Sequence, residues 1–189
     1  MVVILDCGYK YIHRLEDLID QYIDYKTIAI FDFEINQIPE ATKAIIISNA
    51  QVSVHETNTD NYQKKIKSIF DLDIPVLGIG FGHHLLGLIF DALTAYQPYT
   101  NELTEIGIIE DSPIFDKLPQ DVELMEDHAG TISIPPSFKL LASSDRSINE
   151  AMKHNTKPYY GVQFIPELSG NYGAIVIENF VNISVKYNT

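Results

Sequence analysis

Residues 74–90 constrain the fold more tightly than any other part of the chain. An apolar run, Ile74 to Ile79, meets the helical apolar pattern of His83 to Phe90 across Gly80-Phe81-Gly82. The run reads as a buried strand, and the corner leaves room only for a sharp strand-turn-helix elbow. Such an elbow requires a sheet with its helix packed on it. It lifts one side chain above the strand's carboxyl edge and aims the helix N-terminus at it. At the apex stands Gly80. Glycine carries no nucleophile, but it relieves elbow backbone strain that costs other residues about 1–3 kcal/mol.

Upstream, strand-like and helical patterns alternate. Val2–Leu5 is a continuous apolar run ending at Asp6-Cys7-Gly8. Tyr11, Ile12, Leu15, Leu18, Ile19 and Tyr22 then recur at helical spacing. Thr27–Phe31 and Ala44–Ile47 read as strands, and Tyr62 to Phe70 as an amphipathic helix with Lys64, Lys65 and Lys67 on its wet side. Alternating β and α with short loops implies a parallel sheet covered on both faces. Past Phe90 the pieces become shorter: Ile106–Ile109, Val122–Glu126, Lys139–Ala142, Asn149–Met152 and Tyr159–Phe164 read as strands. Asp111-Ser112-Pro113 reads as a helix start capped by Ser112, and Gly173 to Val185 as the last helix, with Ile175, Val176, Asn179, Phe180 and Ile183 on one face. The expected fold is α/β: one domain over residues 1–189, a mostly parallel open sheet with helices on both faces and a smaller antiparallel region, flavodoxin-like in class.

The formal charge of −13 would repel phosphate backbones and anionic lipid, so neither nucleic acid nor membrane is expected as a partner. No stretch approaches the roughly 20 apolar residues of a membrane span. The N-terminus reads as a strand, and the one cysteine, Cys7, suits a reducing cytoplasm.

Four separated motifs carry a family resemblance: Asp6 to Arg14 (Asp-x-Gly-x-x-Tyr-x-His-Arg), Pro75 to His83 (Pro-Val-Leu-Gly-Ile-x-Phe-Gly-His), Asn149 to His154, and Tyr160 to Glu167 (Tyr-Gly-Val-Gln-Phe-x-Pro-Glu). In this order and spacing the chain resembles class I glutamine amidotransferases, and within them the glutaminase subunit of archaeal two-subunit GMP synthases. The resemblance implies hydrolysis of glutamine to glutamate and ammonia, with ammonia passed to an ATP-pyrophosphatase subunit that aminates XMP. That chemistry uses a thiolate nucleophile, a His base, a Glu that orients the His, and backbone N–H groups that hold the oxyanion.

Carried over position by position, the nucleophile becomes Gly80 and the base Ile165, while the orienting carboxylate survives as Glu167. The loop that helps form the oxyanion hole is here Ser48-Asn49-Ala50-Gln51, and the Phe81 amide remains as a donor. His84 stands where the family has a substrate-contacting glutamine. His128 falls in the segment that implies contact with the synthetase, with Gly130 in place of its acidic member. Losing one member of a nucleophile-base unit costs on the order of 10⁶ in rate, and two are missing here.

The expectation is therefore a catalytically silent glutamine amidotransferase-like protein acting as a binding, regulatory or structural subunit, with no intact catalytic residue, no cofactor and no metal. One alternative is the glutaminase subunit of GMP synthase itself. Another is relocated chemistry, through Cys7 at the strand's carboxyl edge or a metal held by His84, His128 and Glu167. Tyr96, Tyr99, Tyr159 and Tyr160 are candidates for a partner surface.

Overall fold

The computed structural model describes residues 1–187. Its first half runs β1 (Val2–Asp6), α1 (Ile12–Asp20), β2 (Tyr25–Ala29), β3 (Ala44–Ile47), α2 (Asp60–Ile66), β4 (Val76–Ile79) and α3 (Phe81–Ile89). There follow β5 (Thr94–Ala95), β6 (Thr100–Ile108), β7 (Asp121–His128), β8 (Thr131–Ile132), β9 (Phe138–Ser143), β10 (Ala151–His154), β11 (Tyr159–Val162) and α4 (Gly170–Tyr187). Nine strands form one sheet in the order β2-β1-β3-β4-β11-β10-β9-β6-β7, and β5 pairs with β8 beside it. The pairings from β2 through β11 are parallel, and those from β11 out to β7 are antiparallel.

The central strands are apolar at consecutive positions because both faces are covered. Alternation along β1 sorts its side chains: Val2 and Ile4 pack with Leu15, Ile19, Val176 and Phe180 on one face, while Val3 and Leu5 pack with Ile66, Phe81 and Leu85 on the other. The resulting layers are α1 and α4, the sheet, then α2 and α3. This is the expected α/β class, with the antiparallel strands extending the same sheet.

Several boundaries differ from expectation for physical reasons. The second strand occupies Tyr25–Ala29 rather than residues 27–31, because β1 registers Val2 against Tyr25 and Asp6 against Ala29. Beyond that the chain turns, with the Asp32 amide donating to the Ala29 carbonyl. β6 runs nine residues, of which only the last few were legible, because its inward positions include Thr100 and Thr104. The Ser112-Pro113 signal yields a single 3-10 turn, Pro113–Phe115, whose start Ser112 does not cap through its side chain. Two residues beyond the turn, Lys117 has a φ of 71°. The Tyr62–Phe70 helix begins earlier and tightens into a 3-10 turn, Lys67–Asp71. Tyr159 and Tyr160 are core residues rather than partner surface, at 2% and 4% exposure, whereas Tyr96 and Tyr99 are exposed.

The elbow depends on contacts that no side chain could enter. A Cβ on Gly82 would collide with the Ile47 carbonyl oxygen of β3 and sit 2.7 Å from its carbon. Neither partner is a flexible side-chain tip, so α3 would have to lift off the sheet. Gly82→Ala should destabilise the protein by about 3 kcal/mol or more, measured by urea unfolding. A loss below about 1 kcal/mol would mean that α3 can shift at little cost.

Candidate functional site

The elbow forms as its sequence demands. β4 ends at Ile79, and Gly80 turns the chain at φ 54°, ψ −112° into α3. The Gly80 amide donates to the Val162 carbonyl at 2.9 Å, and the Gly80 carbonyl accepts from the His84 amide at 3.1 Å. Glycine suits this positive φ, and two neighbours have moved into the space a side chain would use. A Cβ there would collide with Asn49 Oδ1, lie 2.6 Å from its Cγ and 3.0 Å from Ile165 Cδ1.

Asn49, at the end of β3, closes the site from within. Its Oδ1 accepts from the Phe81 amide at 2.8 Å, the donor that an oxyanion would use. Its Nδ2 donates to the Asp127 carbonyl at 2.9 Å. The amide orientation follows from this pairing, since Phe81 N–H only donates and the Asp127 carbonyl only accepts. Asn49 is fully buried. An anion approaching the Phe81 amide would have to displace a satisfied buried side-chain amide.

The position that the resemblance equates with the base is equally closed. Ile165 is fully buried within the core cluster that includes Tyr9 and Phe164. Its backbone remains fixed, with its amide donating to the Met125 carbonyl at 2.7 Å and its carbonyl accepting from Ser169 Oγ at 2.7 Å. Glu167 follows it with nothing to orient: neither carboxyl oxygen finds a partner among the described residues, and both are buried. Burial pushes its pKa up to about 7, with some help from the Asp127 charge.

Ser48 has become structural. Its Oγ accepts from the Cys7 amide and donates to the Asn49 carbonyl, both at 2.9 Å. Beside this loop lies a cavity of about 90 Å³ lined by residues including Ala50, Gln51, Tyr99, Asp127 and His128. Small-molecule sites are usually roughly 300–1,000 Å³, and this cavity is smaller.

His84, expected near substrate, is buried under the elbow, with Nε2 3.2 Å from Gln163 Oε1. Burial, with His83 and His128 nearby, holds it well below the usual imidazole range. His83 beside it is pushed down to about 3, chiefly by burial. His128, expected at a partner contact, is instead 3% exposed, its Nδ1 3.2 Å from the Gly130 carbonyl and its Nε2 3.2 Å from Glu126 Oε2. A ring engaged at both nitrogens has nothing left to offer a partner.

Relocated chemistry finds no support here. The Cys7 thiol is 5% exposed and pushed far up by burial and by Asp6, so it is held as the unreactive thiol. His13 is exposed on α1. Among the described residues no three His, Cys, Asp or Glu side chains converge as metal ligands, the set His84, His128 and Glu167 included.

Two features escaped sequence reasoning. Asp127 accepts from the hydroxyls of Tyr9 and Tyr99, each at 2.7 Å, tying the first loop to β7. Burial opposes its ionisation, but these bonds hold its carboxyl below the usual range. Glu126 and Glu150 are fully buried carboxyls. The signal for Glu126 was present in the alternation along β7, where Val122, Leu124 and Glu126 share the inward positions.

An elbow aimed at a sheet edge, followed after β11 by Ile-Pro-Glu, defines an amidotransferase-type scaffold. The model of the glutamine amidotransferase class-I family matches residues 3–183. The chain belongs to that family. It is 34% identical over 196 aligned positions to a subunit of the glutamine-hydrolyzing GMP synthase of Pyrococcus furiosus, covering 97% of this chain and 98% of that protein. The corresponding GMP synthase subunit of Methanocaldococcus jannaschii is 30% identical, at 97% coverage of each. Among solved structures, a candidate GMP synthase subunit from Thermoplasma acidophilum superposes at TM-score 0.90, with 25% identity over 99% of this chain and 94% of that one. A Thermotoga maritima glutamine amidotransferase shares the fold at TM-score 0.74 and 17% identity, covering 99% of this chain and 85% of that one.

Glu167 gives the site a pH signature. Its folded pKa near 7 lies above the roughly 4.3 of a free Glu, so the folded state keeps a proton that the unfolded chain releases. Its contribution to stability is therefore complete below about pH 4.3 and is lost as pH rises through 7. Glu167→Gln removes the ionisation. At pH 8 it should be more stable than wild type by roughly 1–3 kcal/mol, and the gap should close as pH falls through 5 to about 4 in denaturant unfolding. A variant destabilised at pH 8 would mean that the carboxylate is stabilised in a way this geometry does not contain.

Proposed function

We propose that this chain is a homologue of the GMP synthase glutaminase that does not itself hydrolyse glutamine and serves as a noncatalytic binding, regulatory or structural subunit. The observation that carries this reading is Asn49 Oδ1 seated on the Phe81 amide at 2.8 Å, beside an apex residue with no side chain. Nucleophile, base and oxyanion donor are each absent or engaged, and the orienting Glu167 is left without a partner. Among the described residues no helix is long and apolar enough to cross a membrane, which agrees with a proposed cytoplasmic setting.

A second reading has its own support. The similarity to subunits of glutamine-hydrolyzing GMP synthases spans nearly the whole of both chains. The chain would then be the glutaminase subunit in that assembly, pairing with an ATP-pyrophosphatase partner that aminates XMP. The two readings differ in one measurable quantity, glutamate released from glutamine. The experiment incubates the protein with glutamine, alone and then with the synthetase partner, ATP and XMP. The proposal expects glutamate at background in both cases. Release above background, with or without the partner, would overturn it in favour of the second reading.

Replacing the apex tests how the loss is built in. Gly80→Cys places a side chain at φ 54° against Asn49 and Ile165. It should lower stability by about 1–3 kcal/mol in thermal or urea unfolding and leave glutaminase activity at background. Robust ammonia release from this single variant would show that the surrounding site is still competent.

A further inference from the structure

Strand β6 has an open edge along its first half. In its ladder with β7 the even-numbered residues face the partner strand: the Ile108 amide donates to the Gln120 carbonyl at 2.7 Å, and the register sets Ile106 against Val122 and Thr104 against Leu124. Successive residues of a strand point their backbone groups to opposite edges, so the N–H and C=O of Leu103 and Glu105 point away from β7. On that side β9 pairs with β6 only at Gly107 and Ile108. Past Ser143 the chain curls away. The Ser144 amide donates to the Ser147 carbonyl at 2.9 Å, and Ser144 Oγ accepts from the Arg146 and Ser147 amides, each at 3.1 Å. Among the described residues, nothing takes up the backbone of Leu103 or Glu105 on that edge.

The far edge of the same hairpin is covered. There the Met125 amide donates to Ser169 Oγ at 2.9 Å, and the Met125 carbonyl accepts from the Ile165 amide at 2.7 Å. The open edge of β6 instead borders a groove of about 480 Å³ that reaches the Ser144–Ser147 turn. Glu102, Glu105, Asp121 and Asp145 line it, and Arg146, the cation among its lining residues, is already paired with Glu102. The other three carboxylates have no ion-pair partner among the described residues. Glu105 also stands opposite Glu123 on β7, a like-charge pair that costs stability. Thr104 lines the same groove at 8% exposure, and its hydroxyl finds no partner among the described residues.

We propose that this groove is a strand-addition site: an extended, basic segment of a partner protein lies along β6, exchanges backbone hydrogen bonds with Leu103 and Glu105, and sets Lys or Arg side chains against Glu105, Asp121 and Asp145. Unpaired strand edges template such pairing, with main-chain bonds giving affinity and the flanking side chains giving specificity. The carboxylates decide the sign of the partner. A second copy of this chain fits poorly, because residues 100–106 carry two Glu and no Lys or Arg, and self-pairing would set like charges together. Nucleic acid is repelled by the same groups. The site uses no residue of the elbow, so it holds whether or not the chain hydrolyses glutamine.

Amide hydrogen exchange followed by NMR tests the edge in the free protein. Leu103 and Glu105 should exchange faster than Thr104 and Ile106, whose amides face β7. Equal protection would mean that the edge is already covered, by this chain or by a second copy, and would overturn the proposal. The binding probe is a short peptide of alternating Lys and Val, used at low salt, where surface charges are least screened. Its binding should slow exchange at Leu103 and Glu105. N-methylation at every residue removes the peptide's backbone donors and keeps its charge, and should weaken binding by about tenfold or more. A peptide of alternating Glu and Val should not bind. The Glu105→Lys/Asp145→Lys variant changes only exposed positions and should lose the preference for the basic peptide. Absence of binding by the Lys/Val peptide, equal binding of its N-methylated form, or a preference that survives the double substitution would each sink the proposal.

Discussion

The close approach of α3 to the sheet is the contact on which the rest of the structure depends. A Cβ on Gly78 would strike the Gly82 carbonyl, and one on Gly82 would strike the Ile47 carbonyl. The crossing is therefore backbone on backbone. It brings the end of β3, the elbow and the end of β11 to one edge, where Asn49, Phe81 and Ile165 converge. In open α/β sheets this edge is where ligands bind. Here the same closeness lets the Asn49 side chain reach the Phe81 amide.

On the proposed noncatalytic reading, the site is better described as refilled than as emptied. Removing a nucleophile from a packed site would leave a cavity and unsatisfied groups, each costing stability. Asn49 occupies part of that space with both ends of its amide hydrogen-bonded, and Ile165 supplies apolar contacts where a polar ring would need partners. Glu167 is the exception. Its oxygens are buried and find no hydrogen-bond partner among the described residues.

Much of the fold was legible because the central strands and the elbow obey simple periodicities. Ala44–Ile47 and Val76–Ile79 are apolar at most consecutive positions because both their faces are covered, and that reads directly from sequence. The antiparallel half was less legible. β6 hides its inward face behind threonines, and β7 runs past the expected Val122–Glu126 to a buried His128, so polar residues blurred where these strands extend. His128 and Tyr159 were misassigned toward the surface for the same reason: chemical type alone does not say whether a polar side chain has found a buried partner.

The sequence by itself determined that the elbow apex and the residue before Pro166-Glu167, Gly80 and Ile165, carry no reactive group. Residue identity at the elbow and before Pro166-Glu167 is enough for that, since glycine and isoleucine have no proton to give or take. It also determined the fold class, through hydrophobic period and glycine placement. Tertiary structure alone decided that Asn49 occupies the Phe81 amide and that the Cys7 thiol is buried. Each of these depends on distance and burial between residues dozens of positions apart. Such quantities arise only when β3, β7, β11 and α3 are packed together, because hydrogen bonding and desolvation act through space and not along the chain.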